Sequence, residues 1–116
     1  MPNNDCLFCK IVNGEIPSNK VFETESVLAF RDINPQAPVH VLIVPKKHLE
    51  SLLNIEDADR DLLVNIFSAV KEIAAKEKVA QKGFRLAVNN GAEGGQLVKH
   101  LHFHLLGGRQ MAGRLG

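Results

Sequence analysis

The segment His100-Leu101-His102-Phe103-His104-Leu105-Leu106 constrains this chain more than any other stretch. In extended backbone, successive side chains leave on opposite faces. A strand over 100–106 therefore sends Leu101, Phe103 and Leu105 one way and His100, His102 and His104 the other. The apolar set has to meet a core. The imidazoles then form a row on the opposite face, with neighbours about 6.6 Å apart at a rise of ~3.3 Å per residue. Such a row is long enough to line a phosphate and its leaving group. Near-neutral imidazoles can serve as nucleophile, general acid or hydrogen-bond donor, and a row can divide those tasks.

A metal reading competes with this one, because H-x-H also supplies ligands in zinc hydrolases, where three histidines and an open position activate water. No Asp or Glu adjoins the row in sequence to act as the general base such sites often use. That favours a metal-free centre.

The rest of the chain reads as an α+β domain. The run Val39–Val44 (VHVLIV) is β-branched and apolar on both faces, so it is expected as a buried central strand closed by Pro45, with His40 inside it. Segments 20–23 and 27–31 read as a hairpin, and 84–89 as a further strand. Residues 6–13, with Leu7, Phe8, Ile11 and Val12, read as a short helix stopped by Gly14. From Asp57 to Val79 the positions Leu62, Leu63, Ile66, Phe67, Val70, Ile73 and Ala74 keep a 3.6-residue period. Asn54 or Asp57 can cap that long helix, and Lys76, Lys78 and Lys82 before Gly83 suit its end. One long helix, a short N-terminal helix and a five-stranded, mostly antiparallel sheet make a single domain over 1–116.

With 116 residues, 45% of them apolar, the chain can bury a core without disulfide staples. The formal charge of +1 leaves no field for nucleic acid or an anionic membrane. The polar start MPNNDC and the absence of a long apolar run suggest an unexported, cytoplasmic protein without a membrane span. In that setting the C-x-x-C pair Cys6 and Cys9 points to a metal or redox pair before a disulfide. The loop 90–95 (NGAEGG) precedes a strand and lacks G-K-[ST], so it is neither a Walker loop nor a dinucleotide-binding turn.

The triad segment in its context GGQLVKHLHFHLLGGRQM closely resembles the histidine triad (HIT) superfamily, in its nucleoside phosphoramidase branch. Residues 29–48 (AFRDINPQAPVHVLIVPKKH) and 6–18 (CLFCKIVNGEIPS) resemble two further family blocks, so the likeness spans almost the whole chain. It implies a HIT-like fold and attack of His102 on an α-phosphorus to give a nucleotidyl-histidine, with no catalytic cofactor. The resemblance also implies that the backbone carbonyl of His100 holds the inner N–H of His102, and that His104 and His40 donate to phosphoryl oxygens. Asn89 and Gln96 are implied at phosphate or ribose, and Asp32 at the ribose hydroxyls. Phe8, Ile11, Phe30 and Ile33 are implied around a purine base.

The family likeness further implies a homodimer, with the tail 109–116 near the partner's site, and a structural Zn²⁺ on Cys6, Cys9, His48 and His100. One departure stands out: members of this branch often carry a polar residue three positions before the first triad histidine, where this chain has Leu97. Two other functions remain open from the residues, a nucleotide-binding interaction module with incidental turnover and a zinc-dependent phosphohydrolase using the histidine cluster.

Overall fold

A computed structural model describes residues 5–116. Residues 1–4, which make up most of the polar start, lie outside the described residues. The first element, α1 (Leu7–Val12), is capped by Cys6, whose Sγ accepts the Cys9 N–H at 3.4 Å. Thr24 folds the next turn by accepting the Ser26 and Val27 N–H groups on its Oγ1. That turn pairs β1 (Lys20–Glu23) with β2 (Val27–Arg31) in antiparallel register, interrupted by a bulge between Lys20 and Phe22.

The sheet is completed by β3 (Val39–Pro45), β4 (Phe84–Val88) and β5 (Phe103–Gly107), in the order β1-β2-β3-β5-β4 with every pairing antiparallel. β3 is central, as its two-sided apolar sequence requires. Val41 and Ile43 join Val27, Ala29, Phe103 and Leu105 beneath the long helix α2 (Arg60–Lys76). Leu42 and Val44 face the other way and pack with Leu28, Phe30, Phe8 and Ile11 beneath α1. The second, smaller core puts α1 over the histidine face of the sheet. No helix among the described residues is long and apolar enough to cross a membrane.

Several boundaries differ from the sequence reading, each for a local reason. The strand expected over 100–106 begins only at Phe103, because the Leu101 N–H bonds to Leu49 O and the His100 N–H to Val98 O. The side-chain alternation nonetheless persists, with Leu101 in the α2-side core and His100 and His102 buried on the other side. β4 stops at Val88, before Asn89.

The long helix is shorter at both ends than Asp57–Val79. A 3₁₀ turn, Asp57–Asp59, precedes it, and the N-cap is Asp59. The Asp59 carboxylate is taken by the Glu56 N–H at 2.9 Å and Lys47 Nζ at 2.7 Å, and this pairing holds it below the usual carboxylate range. Asn54 instead closes a capping box with Ser51 in a separate 3₁₀ turn. The C-cap is Glu77, whose carboxylate receives a two-pronged bond from Arg31 at 2.7 and 3.0 Å. Lys78 rather than a glycine then takes the left-handed conformation, with φ +62°. Phe67, expected in the buried stripe, is half exposed and packs edge-on against Phe103 of the core.

Candidate active site and metal cluster

The short β5 and the bonded turn before it place the three histidines at different depths. His102 is buried, and its Nδ1 lies 2.7 Å from the His100 carbonyl oxygen. A carbonyl only accepts, so Nδ1 carries the proton, and in the neutral ring Nε2 keeps the lone pair. The ring is wedged edge-on against Phe8, with centroids 5.0 Å apart, and lines a cleft of about 770 Å³.

His104 also lines this cleft. Its tautomer is set by a chain of donors that begins in the loop 34–38. The Gln36 N–H donates to His40 Nδ1 at 3.0 Å, which leaves the His40 proton on Nε2. That Nε2 lies 2.9 Å from His104 Nδ1 and 3.4 Å from Asp32 Oδ2. His104 Nδ1 therefore accepts, and His104 Nε2 is the N–H. Burial, together with His102 and His40 alongside, pushes His104 down to about 4, and burial also lowers His40 against the opposing pull of Asp32. Both rings are neutral at pH 7, and His104 is a fixed hydrogen-bond donor.

His40 is thus not aimed at phosphate as expected. It is buried, does not line the cleft, and spends its N–H on His104. A carboxylate also approaches the row after all, since Asp32 lies with His40 and His104 in a set whose ligand atoms are all within 4.8 Å. Sequence distance concealed it. The Gln36 N–H argues against a metal in that set, because a metal on His40 Nε2 would leave Nδ1 needing both the lone pair it uses and the proton of a neutral ring.

His100 presents its ring elsewhere. Its Nε2–H donates to Pro45 O at 2.8 Å, leaving a bare Nδ1 that lies 3.3 Å from Cys6 Sγ, 3.5 Å from Cys9 Sγ and 3.2 Å from His48 Nδ1. Burial pushes this histidine down to about 4, with the Pro45 carbonyl acting the other way. Cys9 Sγ lies 3.3 Å from His48 Nδ1, and the four ligand atoms are all within 4.8 Å of one another. A tetrahedral Zn²⁺ separates two nitrogen ligands by about 3.4 Å and a nitrogen from a sulfur by about 3.6 Å, given its usual bond lengths. Cys6, Cys9, His48 and His100 fit such an ion, and the Pro45 carbonyl supplies the outer partner that orients a histidine ligand.

The three triad rings consequently do not converge on one point: His100 faces the sulfurs, His102 the cleft, and His104 the cleft and His40. His100 meets the row through its carbonyl, not its imidazole. Of the expected pocket residues, Phe8, Ile11, Phe30, Asp32, Ile33 and Asn89 line the cleft with His102 and His104. Asp32 is held there by the Asn34 N–H on its Oδ1 at 2.8 Å. Gln96 does not line it. Its side chain bonds Glu50 O, Val98 O and the Gly91 N–H, and so organises the loop instead. Leu42 and Val98 also form part of the wall. Leu42 was legible from period two alone, because it shares a strand face with His40.

Comparison with known proteins bears on the family and the fold. The HIT domain family profile matches residues 13–111. A "14 kDa zinc-binding protein" of Brassica juncea is 46% identical over 109 residues, 92% of this chain and 96% of that protein. The "Adenylylsulfatase HINT1" of Arabidopsis thaliana is 48% identical over 107 residues, 90% of this chain and 72% of that one. A solved structure of a "HIT family hydrolase" from Legionella pneumophila superposes with a TM-score of 0.94 at 52% identity, covering 97% of this chain and all of its own.

Proposed function

The chain belongs to the HIT domain family, and from that premise we propose that it is a hydrolase of purine nucleoside phosphoramidates, of the adenosine 5′-monophosphoramidate type. The observation that carries the reading is the 2.7 Å bond from His102 Nδ1 to the His100 carbonyl. It leaves the Nε2 lone pair for the cleft and stabilises the positive ring that forms on attack.

In the first half-reaction, His102 Nε2 bonds to phosphorus as the P–N bond breaks. The departing amine keeps the electron pair and takes a proton from water in the open cleft. The His104 Nε2–H stabilises the charge developing on a phosphoryl oxygen. In the second half, water attacks phosphorus and loses a proton to solvent, and His102 leaves as a neutral ring whose Nδ1–H still donates to the His100 carbonyl. Asp32 binds the ribose hydroxyls, and Phe8, Ile11, Phe30 and Ile33 enclose the base. Asn89 contacts the phosphate or ribose.

Cys6, Cys9, His48 and His100 would hold a structural Zn²⁺, which ties α1 to the turn before β5 and takes no part in the chemistry. The protein acts as a cytoplasmic homodimer in this account. The open edge of β4 and the exposed apolar side chains of Phe84, Phe67 and Val64 support a second copy as their cover.

The test is steady-state hydrolysis of adenosine phosphoramidate in excess chelator, by wild type and by His102→Asn. Retained activity in the wild type and loss of at least about a thousandfold in the variant is expected. Hydrolysis of adenylyl sulfate without any P–N cleavage would transfer the chemistry to a P–O bond. Tight nucleotide binding with no turnover of either would make the chain a binding module.

A further inference from the structure

Leu97 is 93% exposed, although it lines the cleft that holds His102 and His104. It also walls a second groove, of about 440 Å³, that it shares with Leu7, Val98 and Lys99. The cleft runs across the sheet from Phe30 and Asp32 on the β2 side, past Leu42 of β3, to His102 just before β5, His104 within it, and Asn89 beyond β4. A nucleotide with its sugar at Asp32 and its phosphorus at His102 directs its remaining substituent toward loop 89–98. Leu97 stands there, on the ridge between the cleft and the second groove.

An apolar side chain this exposed contributes almost nothing to the folded core. Its burial is still available to a ligand, and covering one leucine side chain against another apolar group is worth about a factor of ten in binding. Leu7, 45% exposed on the same ridge, enlarges the patch.

We propose that Leu97, with Leu7 and Val98, is a specificity-determining seat for an apolar leaving group, so that the favoured substrates are phosphoramidates of primary amines bearing an aromatic or branched aliphatic body. The inference rests on the phosphoramidase reading. The P–N bond breaks, His102 Nε2 bonds to phosphorus, and the amine leaves with its electron pair and a proton from water. Leu97 supplies contact area and no proton.

The experiment compares kcat/KM for adenosine phosphoramidates of phenethylamine and of ethanolamine, two amines of closely similar basicity, in wild type, Leu97→Ser and Leu97→Met. The wild type should favour the phenethyl substrate by about fivefold to tenfold. Leu97→Ser should bring that ratio near one, Leu97→Met should restore most of it, and inhibition by AMP should stay within about twofold throughout. An unchanged ratio in Leu97→Ser would overturn the inference and leave the phosphoramidase reading standing. A loss of AMP affinity in step with the ratio would also overturn it, by moving Leu97 to the nucleotide side. Wild type that binds AMP and cleaves neither substrate would end both.

Discussion

His100 holds His102 with its backbone and faces Cys6 with its ring: the carbonyl lies 2.7 Å from His102 Nδ1, and Nδ1 of the same residue lies 3.3 Å from the Cys6 sulfur. One residue joins the cysteine cluster to His102. The Pro45 carbonyl, accepting from His100 Nε2, fixes the ring orientation that turns Nδ1 toward the sulfurs.

Tag-free protein purified without chelator should therefore contain about one equivalent of zinc, measured by elemental analysis. Cys9→Ser should lose most of it and unfold at a temperature lower by roughly 10 °C, the equivalent of about 2 kcal/mol in a domain of this size. Wild type with less than about a tenth of an equivalent and an unshifted midpoint in the variant would remove the metal from the account.

His40 acts on the cleft through His104. In His40→Ala, His104 Nδ1 loses the donor that fixes its tautomer, and kcat should fall by about tenfold to a hundredfold with KM changed by less than about threefold. His40→Gln, whose amide can still donate, should recover part of the loss. A rise in KM at constant kcat would instead place His40 in substrate binding.

Acid should weaken the fold in a defined window. His104 falls from its ordinary value of 6.5 to about 4 on folding, chiefly through burial. Between those values the unfolded chain holds a proton there that the native chain lacks, so stability drops as pH is lowered from about 6.5 to about 4 and levels off for this group below that. At higher pH both states are neutral at this site, and it adds no pH dependence. Urea melts at pH 7, 5.5 and 4.5 should show the slope, and His104→Asn should make it shallower, leaving the share of His100 and His40, which burial also lowers. The same slope in the variant would assign it to other groups.

Lys78 offers a test of the fold remote from the site. Its φ of +62° costs a residue with a side chain about 1 kcal/mol, so Lys78→Gly should stabilise the protein by roughly 0.5–1 kcal/mol in spite of the added freedom of the unfolded chain. Gly107→Ala should do the reverse, because its new Cβ would fall 2.8 Å from Val79 Cγ1, and overpacking of this kind costs about 1–3 kcal/mol. Denaturant melts of the two variants should move in opposite directions.

The sequence made the sheet legible where one rule acted alone. Two-sided burial marked Val39–Val44 as the central strand, and period two separated Leu101, Phe103 and Leu105 from the histidines even where the backbone leaves the ladder. The ends of α2 were less legible, because the Asp59 carboxylate is spent on Lys47 and the Glu56 N–H rather than on the helix, and Lys78 takes the left-handed place usually given to glycine. Within the site, sequence order hid relations made in space: Asp32 beside His40, the Gln36 N–H that fixes its tautomer, and the turning of Gln96 into its own loop. Each depends on a polar contact made only in the folded chain, and residue spacing carries no record of such contacts.

The central claim is that His102 carries the nucleotide between two half-reactions. Its most direct test is a rapid quench into alkali, where a phosphohistidine-type bond survives, followed by peptide mass mapping during turnover of an adenosine phosphoramidate. One adenylyl group on the peptide containing residues 100–109, localised to His102 and absent from His102→Asn, is the predicted result. Turnover with no labelled chain at any time point, or the same label in His102→Asn, would contradict it.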